Sequence, residues 1–159
     1  MKVKTKNIII KAPVEQVFAY MDNIGNTGMH MMKNSSMMMG SKLKLDQLSE
    51  NATGPNATFR WYGKMLWFKM DFTVLVTKWI KDREKSWETI GSARMIILGW
   101  YRMQLILTPI ENTTKAELSI QYIKPEGFFY KILSLLLSSY YASWCLSNML
   151  NDSKHYFES

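Results

Sequence analysis

The stretch NIIIKAPVEQVFAYMDN, residues 7–23, joins a strand pattern to a helix pattern across a single proline. Ile8, Ile9 and Ile10 are β-branched and follow the alternating lead KVKTK, which favours a β-strand. Pro13 suits the first turn of a helix, because a residue there needs no N–H donor. Apolar residues then recur at helical spacing, at Val14, Val17, Phe18 and Met21. The stretch therefore predicts a first strand that leads directly into a short amphipathic helix.

From residue 41 onward, strand-like segments alternate with turn signals. The first such segment is SKLKLDQL, and NATGPN at residues 51–56 is typical of a turn. Five further segments rich in aromatic and β-branched residues follow, within residues 57–65, 68–80, 85–91, 95–110 and 115–124. Short connections favour antiparallel pairing of neighbouring strands. The pattern thus predicts an antiparallel sheet of about six to seven strands.

Alternation along these segments assigns one face of the sheet to the interior. The opposite face, with Arg102, Gln104, Glu117, Ser119 and Gln121, is expected to meet water. The predicted inward-facing residues are Phe59, Trp61, Met65, Phe72, Val74, Val76, Tyr101, Met103, Leu105, Leu107, Leu118, Ile120 and Tyr122.

A long helix is predicted from Phe128 to about Tyr156, after Pro125 and Gly127 end the last strand. Its predicted buried side carries Phe129, Ile132, Leu133, Leu136, Tyr140 and Trp144. Its predicted wet side carries Lys131, Ser134, Ser138, Asn148, Asp152 and His155. A transmembrane span over residues 128–150 is the alternative, but one lysine, one asparagine and five serines interrupt it.

The opening stretch also resembles a known family. Ile8 and Ile10, then AP at residues 12–13, Glu15 and VF at residues 17–18 resemble the start of the START-like helix-grip superfamily (SRPBCC). That superfamily includes polyketide cyclases or dehydrases and lipid-transport proteins. The resemblance implies an α+β helix-grip fold, in which a curved antiparallel sheet wraps around a long C-terminal helix, with two short helices after strand 1. It also implies one START-like domain over residues 1–159, with a cavity for an apolar small molecule.

Composition is compatible with such a cavity. The 159 residues suit one domain, and they include six Trp, eight Tyr, seven Phe and thirteen Met. Large, flexible apolar side chains fit either a roomy, adaptable interior or an ordinary core with bulky filling. Composition alone leaves both interpretations open.

The net charge of +7 could attract nucleic acid, an anionic membrane or an acidic partner. Several lysines lie instead beside the first strand, where charge guards against edge pairing, and KDREK at residues 81–85 resembles a charged turn. No nucleic-acid-binding motif accompanies the charge. We therefore predict no specific nucleic acid and no transmembrane segment, and we keep weak contact with a membrane surface as an alternative.

Cysteine usage and the N-terminus predict a cytoplasmic protein. The single Cys145 cannot form an internal disulfide, which suits a reducing compartment. The first eleven residues contain too short an apolar run for a signal peptide.

The segment GMHMMKNSSMMMG, residues 28–40, places six methionines around His30. Soft thioether ligands beside an imidazole could bind Cu(I), and plain core filling is another interpretation. The favoured prediction is a wall or lid of the pocket, because the resemblance places a second helix at the pocket mouth here. We predict no metal and no cofactor.

Signals for catalysis are weak. No sequence motif activates Cys145, and no metal-ligand spacing accompanies His30. Arg60, Asp71, Glu88, Arg94 and Arg102 are mixed into the strands, and cross-strand ion pairs are the favoured role for them. In cyclase relatives, such groups act as acids, bases or orienting donors. We assign no catalytic residue.

The sequence predicts binding, and with it transport or presentation, of a hydrophobic small molecule such as a lipid, quinone or polyketide-like compound. A polyketide cyclase or dehydratase and a protein-interaction module are the alternatives. The discriminating feature is whether an ionisable pair, such as Asp71 or Glu88 with an arginine, faces the cavity. The predicted pocket residues are His30, Met31, Phe59, Trp61, Phe72, Tyr101, Met103, Tyr122, Leu136, Tyr140 and Trp144.

Overall fold

The computed structural model describes residues 1–32, 42–65 and 68–159, apart from the side chain of Met65. Its strands are β1 Lys2–Ile10, β2 Leu43–Gln47, β3 Thr58–Met65, β4 Phe68–Ile80, β5 Glu84–Arg94, β6 Trp100–Ile110 and β7 Thr113–Ile123. Its helices are α1 Val14–Asp22, α2 Ile24–Thr27, α3 Met29–Met32 and α4 Phe128–Glu158. The strands form one antiparallel sheet in the order β1-β7-β6-β5-β4-β3-β2.

The helix-grip architecture predicted from the opening stretch is confirmed. Pro13 precedes α1 with φ −63°, and its carbonyl oxygen accepts hydrogen bonds from the N–H groups of Gln16 and Val17. Three short helical segments follow β1, where the resemblance implied two. The chain therefore turns from the sheet edge into its short helices through the proline, as the sequence predicts.

The first strand lies beside the last strand. β1 pairs with β7 from Lys2↔Tyr122 to Ile10↔Thr114. α4 packs mainly against β1 and also contacts β7 and the three short helices. Two lysines form hydrogen bonds between β1 and α4. Lys6 Nζ donates to Ser147 Oγ at 2.5 Å, and Lys154 Nζ donates to the carbonyl oxygen of Ile9 at 2.9 Å. This arrangement places α4 over the concave side of the sheet.

The inward face of the sheet is the predicted one. Every residue predicted to face inward on β3, β4, β6 and β7 is buried, except Met65, whose side chain lies outside the described residues. Arg102 on the opposite face is exposed. Alternation alone identifies these positions because each strand has one dry and one wet side.

The prediction of which side of α4 is buried is wrong for the first half of the helix. Leu136 and Tyr140, both predicted as pocket residues, are 75% and 67% exposed, and Phe129 and Ile132 are also exposed. The residues that face the interior here include Ser134 and Ser138, predicted as wet and in fact fully buried, followed by Tyr141, Ala142 and Cys145. Helical spacing defines a stripe but not the direction it faces, and small serine side chains occupy little space under a closely packed helix.

Among the described residues, no helix combines the length and the apolar character that crossing a membrane requires. α4 is long enough by residue count, but serines and charged residues are distributed along it.

A buried ion pair holds the end of α1 against the sheet. Lys85 Nζ lies 3.1 Å from Asp22 Oδ1 and donates to the Asp22 carbonyl oxygen at 2.6 Å. Trp79 Nε1 donates to Asp22 Oδ2 at 3.0 Å. Burial lowers the pKa of Lys85, and the nearby Asp22 carboxylate opposes that shift. The cluster connects the helix to β4 and β5.

Candidate ligand-binding cavity

A cavity lies between the concave face of the sheet and the helices. β3, β4 and β6 contribute Trp61, Phe72, Tyr101 and Met103 to its walls, and α3 contributes His30 and Met31. These six residues were all predicted from the sequence as pocket residues.

The remaining walls include residues that sequence reasoning did not select. β5 adds Trp87, the β5–β6 connection adds residues 95–98, and α4 adds Tyr141, Cys145 and Met149. Each of these groups is largely apolar or aromatic. Among the described residues, the cavity is therefore enclosed by five strands, β3 to β7, by the segment between β5 and β6, and by α2, α3 and α4.

The junction of α2 and α3 rests directly on the sheet at Gly28. A Cβ atom at this position would overlap the indole ring of Trp61, so only glycine allows this approach. The Gly28 N–H donates to the carbonyl oxygen of Ile24 at 2.8 Å and completes the turn. The close approach brings His30, two residues later, to the same part of the cavity as Trp61.

The cavity is narrow in this conformation. The cavity has a volume of about 50 Å³ for the centres of water-sized molecules. It lies within a wider concavity of about 670 Å³, which includes space open to solvent. One buried water needs roughly 10–15 Å³ on this measure, so the space admits only a few waters. A larger molecule therefore has to separate the side chains of the walls.

No charged side chain lines the cavity in the part of the chain that the structure describes. Burial lowers the pKa of His30 to about 4, although the backbone carbonyl of Thr27, one turn earlier, favours the protonated form. Burial raises the pKa of the Cys145 thiol to about 12, with the Tyr141 hydroxyl opposing the shift, and burial also raises the pKa of Tyr101. At pH 7 the lining is neutral, so Cys145 is a thiol and does not form a thiolate–imidazolium pair with His30.

Among the lining residues that the structure describes, two polar side chains lack hydrogen-bond partners of good geometry. The Nε1 atom of Trp61 is buried and unpartnered, and so are both ring nitrogens of His30. Trp144 contacts the His30 ring edge-on, with 5.1 Å between ring centroids, and fixes its position without offering it a hydrogen bond. The cavity thus contains unused hydrogen-bonding capacity.

The other predicted pocket residues lie elsewhere. Phe59 and Tyr122 are buried in the core but do not line the cavity, and Trp144 supports His30 from behind. Leu136 and Tyr140 are exposed on the far side of α4. In the methionine-rich segment, His30 and Met31 line the cavity, whereas Met37, Met38 and Met39 lie outside the described residues.

Local irregularity explains why part of the lining was missed. The pairing of β4 with β5 shifts register twice, and Lys85, Ser86 and Trp87 are buried in succession. Simple alternation fails at such bulges. On α4, the four-residue spacing of Tyr141, Cys145 and Met149 marks the cavity side, but the more apolar stripe before them concealed this signal.

The ionisable pairs considered for catalysis lie on the outer face of the sheet. Arg60 makes a two-pronged contact with Asp71, at 2.9 and 2.7 Å, and both side chains are about two-fifths exposed. Arg102 Nη2 lies 2.8 Å from Glu88 Oε2 on the same face. Neither pair lines the cavity. These residues form the cross-strand ion pairs that the sequence favoured.

Several solved structures are similar to this chain over nearly its whole length. TTHA0849 from Thermus thermophilus has a TM-score of 0.69 and 14% identity, with 99% of this chain and 100% of that one covered. Ara h 8.0201 has a TM-score of 0.64 and 9% identity, covering 98% and 97%. The Zhui aromatase/cyclase of a Streptomyces species has a TM-score of 0.66 and 11% identity, covering 97% and 94%. At these identities the likeness shows the fold alone, which is the helix-grip fold.

No protein-family model and no curated protein matches the sequence.

Proposed function

We propose that the protein binds a hydrophobic small molecule in the cavity between its sheet and α4. The observation that carries this proposal is a neutral, mostly apolar lining on the concave side of the sheet. Such sites gain affinity by removing apolar surface from water, at roughly 25 cal/mol for each Å² buried.

Methionine side chains allow the cavity to enlarge. Met31, Met70, Met95, Met103 and Met149 all border the space, and they come from α3, β4, the β5–β6 connection, β6 and α4. A methionine side chain has several rotatable bonds and repacks at low cost around different apolar shapes. The narrow cavity is therefore a contact surface that a ligand opens by displacing these side chains.

Binding is favoured over catalysis by the position of the charged groups. Asp71 and Glu88 pair with arginines outside the cavity, and the thiol and imidazole inside it are neutral at pH 7. One structural neighbour is an aromatase/cyclase, but a shared fold does not transfer an activity. A protein-interaction role has the positive net charge and the exposed apolar side chains of α4 in its favour.

Native mass spectrometry of the purified protein, followed by thermal shift against a panel of lipids, quinones and polycyclic aromatics, tests the proposal. We expect retained small molecules or an increase in melting temperature with at least one apolar class, because a ligand that binds only the folded state stabilises it. No retained molecule and no shift across the panel would refute the proposal.

A matched pair of α4 variants locates the binding site. Cys145→Leu adds bulk to the cavity wall, and we expect it to weaken binding about tenfold or more by competing for the space. Tyr140→Ser changes the exposed side of the same helix and should leave affinity unchanged. Equal effects of the two substitutions would place the ligand outside the cavity.

A further inference from the structure

Among the described residues, the cavity combines an apolar lining with two unused polar groups, on Trp61 and His30. Trp61 is fully buried and His30 is 6% exposed, so water does not reach their nitrogen atoms freely. Buried polar atoms are almost always hydrogen-bonded, and each exception calls for an explanation. Both residues border the space that a ligand would enter.

The two groups have complementary hydrogen-bonding roles. The Trp61 indole can only donate, through its Nε1–H. A neutral imidazole carries one N–H donor and one acceptor nitrogen, and burial keeps His30 neutral at pH 7. The Thr27 carbonyl attracts a proton on the His30 ring without forming a hydrogen bond of good geometry, and the ring nitrogen that carries no proton is left to accept. The cavity therefore offers one donor and one acceptor.

A hydroxyl group satisfies both at once, because its oxygen accepts one hydrogen bond while its hydrogen is donated in another. A carbonyl oxygen satisfies only the indole in this arrangement. Carboxylate or ammonium groups would enter a neutral lining with no opposite charge among the described residues, which is costly.

We propose that the preferred ligand is an uncharged hydrophobic alcohol or phenol, whose hydroxyl oxygen accepts from Trp61 Nε1–H and whose hydroxyl hydrogen is donated to His30. This inference rests on the proposed function and adds the chemical class of the ligand. Gly28 makes the arrangement feasible, because its close approach to Trp61 brings both residues to the same part of the cavity.

Equilibrium dialysis with three probes of similar size tests the inference. Naphthalene presents only apolar surface, 2-naphthol adds an uncharged hydroxyl, and 2-naphthoate adds a carboxylate. We expect 2-naphthol to bind at least tenfold more tightly than naphthalene, and 2-naphthoate to bind most weakly. Equal affinities for naphthalene and 2-naphthol, or tightest binding of 2-naphthoate, would overturn the inference and leave the proposed function intact.

Three single substitutions assign the preference to particular atoms. Trp61→Phe and His30→Phe each keep an aromatic ring but remove a hydrogen-bonding nitrogen, and each should lower the preference for 2-naphthol about tenfold while largely retaining naphthalene. Trp87→Phe is the matched control, because Trp87 lines the same cavity and its indole nitrogen is not among the buried unpartnered atoms. Circular dichroism confirms that each variant is folded.

The outcomes separate the two proposals. If the folded protein binds none of the three probes and none of the wider panel, the proposed function fails and the inference fails with it. If the probes bind but Trp87→Phe changes the preference as much as Trp61→Phe does, the hydroxyl is bound elsewhere and the inference alone is wrong.

Discussion

The polar cluster beneath α1 and the polar groups of the cavity are both buried, yet they differ in how they are satisfied. Asp22 Oδ1 lies 3.1 Å from Lys85 Nζ in an ion pair but accepts no hydrogen bond of good geometry, and Asp22 Oδ2 accepts from Trp79 Nε1 at 3.0 Å. In the cavity, Trp61 and His30 have no hydrogen-bond partner of good geometry. The first cluster pairs its charges within the chain, whereas the second consists of neutral groups that leave hydrogen-bonding capacity for a second molecule.

This difference separates stability from function. A buried charge that loses its partner is strongly destabilising, so the Asp22 cluster has to stay intact for the fold. An unpartnered neutral group destabilises the free protein, and a ligand that supplies the hydrogen bond removes that cost. The comparison thus predicts losses of stability of different size for substitutions of chemically similar residues.

The largest expected effect is at the Asp22 cluster. Asp22→Ala leaves the buried Lys85 ammonium without its carboxylate, and we expect a loss of about 3–5 kcal/mol in the free energy of unfolding, measured by urea denaturation. The control is Asp71→Ala, which breaks the exposed pair with Arg60 and should cost roughly 1 kcal/mol or less. Similar losses in both variants would show that burial does not distinguish the two pairs.

Lowering the pH tests whether His30 is buried as a neutral imidazole in the cavity. The folded pKa of His30 is about 4 against an ordinary value of 6.5, so the unfolded chain binds more protons between these values. The resulting loss of stability begins as pH falls below 6.5 and amounts to roughly 3 kcal/mol by pH 4. His30→Phe should remove this part of the pH dependence in urea denaturation between pH 7 and pH 4.

Carboxyl groups with a lowered pKa, such as Asp71 and Glu84, also reduce stability as the pH falls. Both wild type and His30→Phe contain these carboxyl groups. The difference between their pH profiles of unfolding free energy therefore reports the His30 imidazole alone. Parallel pH profiles would contradict the burial of a neutral His30.

A pair of tryptophan substitutions gives the smallest expected difference and the most direct comparison. Trp79→Phe removes a donor to a carboxylate, and we expect a loss of roughly 1.5–3 kcal/mol beyond the effect of ring size. Trp61→Phe removes an unpartnered donor, so only the loss of ring volume remains and the cost should be smaller by about 1 kcal/mol or more. Urea denaturation of both variants, without ligand, checks whether Trp79→Phe loses more stability than Trp61→Phe. Trp61 is fully buried and Trp79 only partly buried, so a loss at Trp61 larger than its greater ring burial explains would mean that its indole nitrogen is satisfied in the free protein.

Prediction from sequence succeeded where the pattern is local. The strand alternation on β3, β4, β6 and β7 identified buried residues such as Trp61 and Tyr101, because a strand has only two sides. It assigned no inward-facing residue on β5, where register shifts in the pairing with β4 bury consecutive residues, including Trp87. Prediction failed at Leu136 and Tyr140, because the apolar content of a helical stripe does not fix which side faces the sheet.

The stretch from Asn7 to Asn23 by itself determined the first strand, the proline junction and the first helix, since these follow from propensity and spacing over a few residues. Only the tertiary structure decided which side of α4 is buried and which residues meet at the cavity. It alone brought Gly28 against Trp61 and left the hydrogen-bonding groups of Trp61 and His30 unpartnered. Those features depend on contacts between segments far apart in the chain, which local periodicity does not encode.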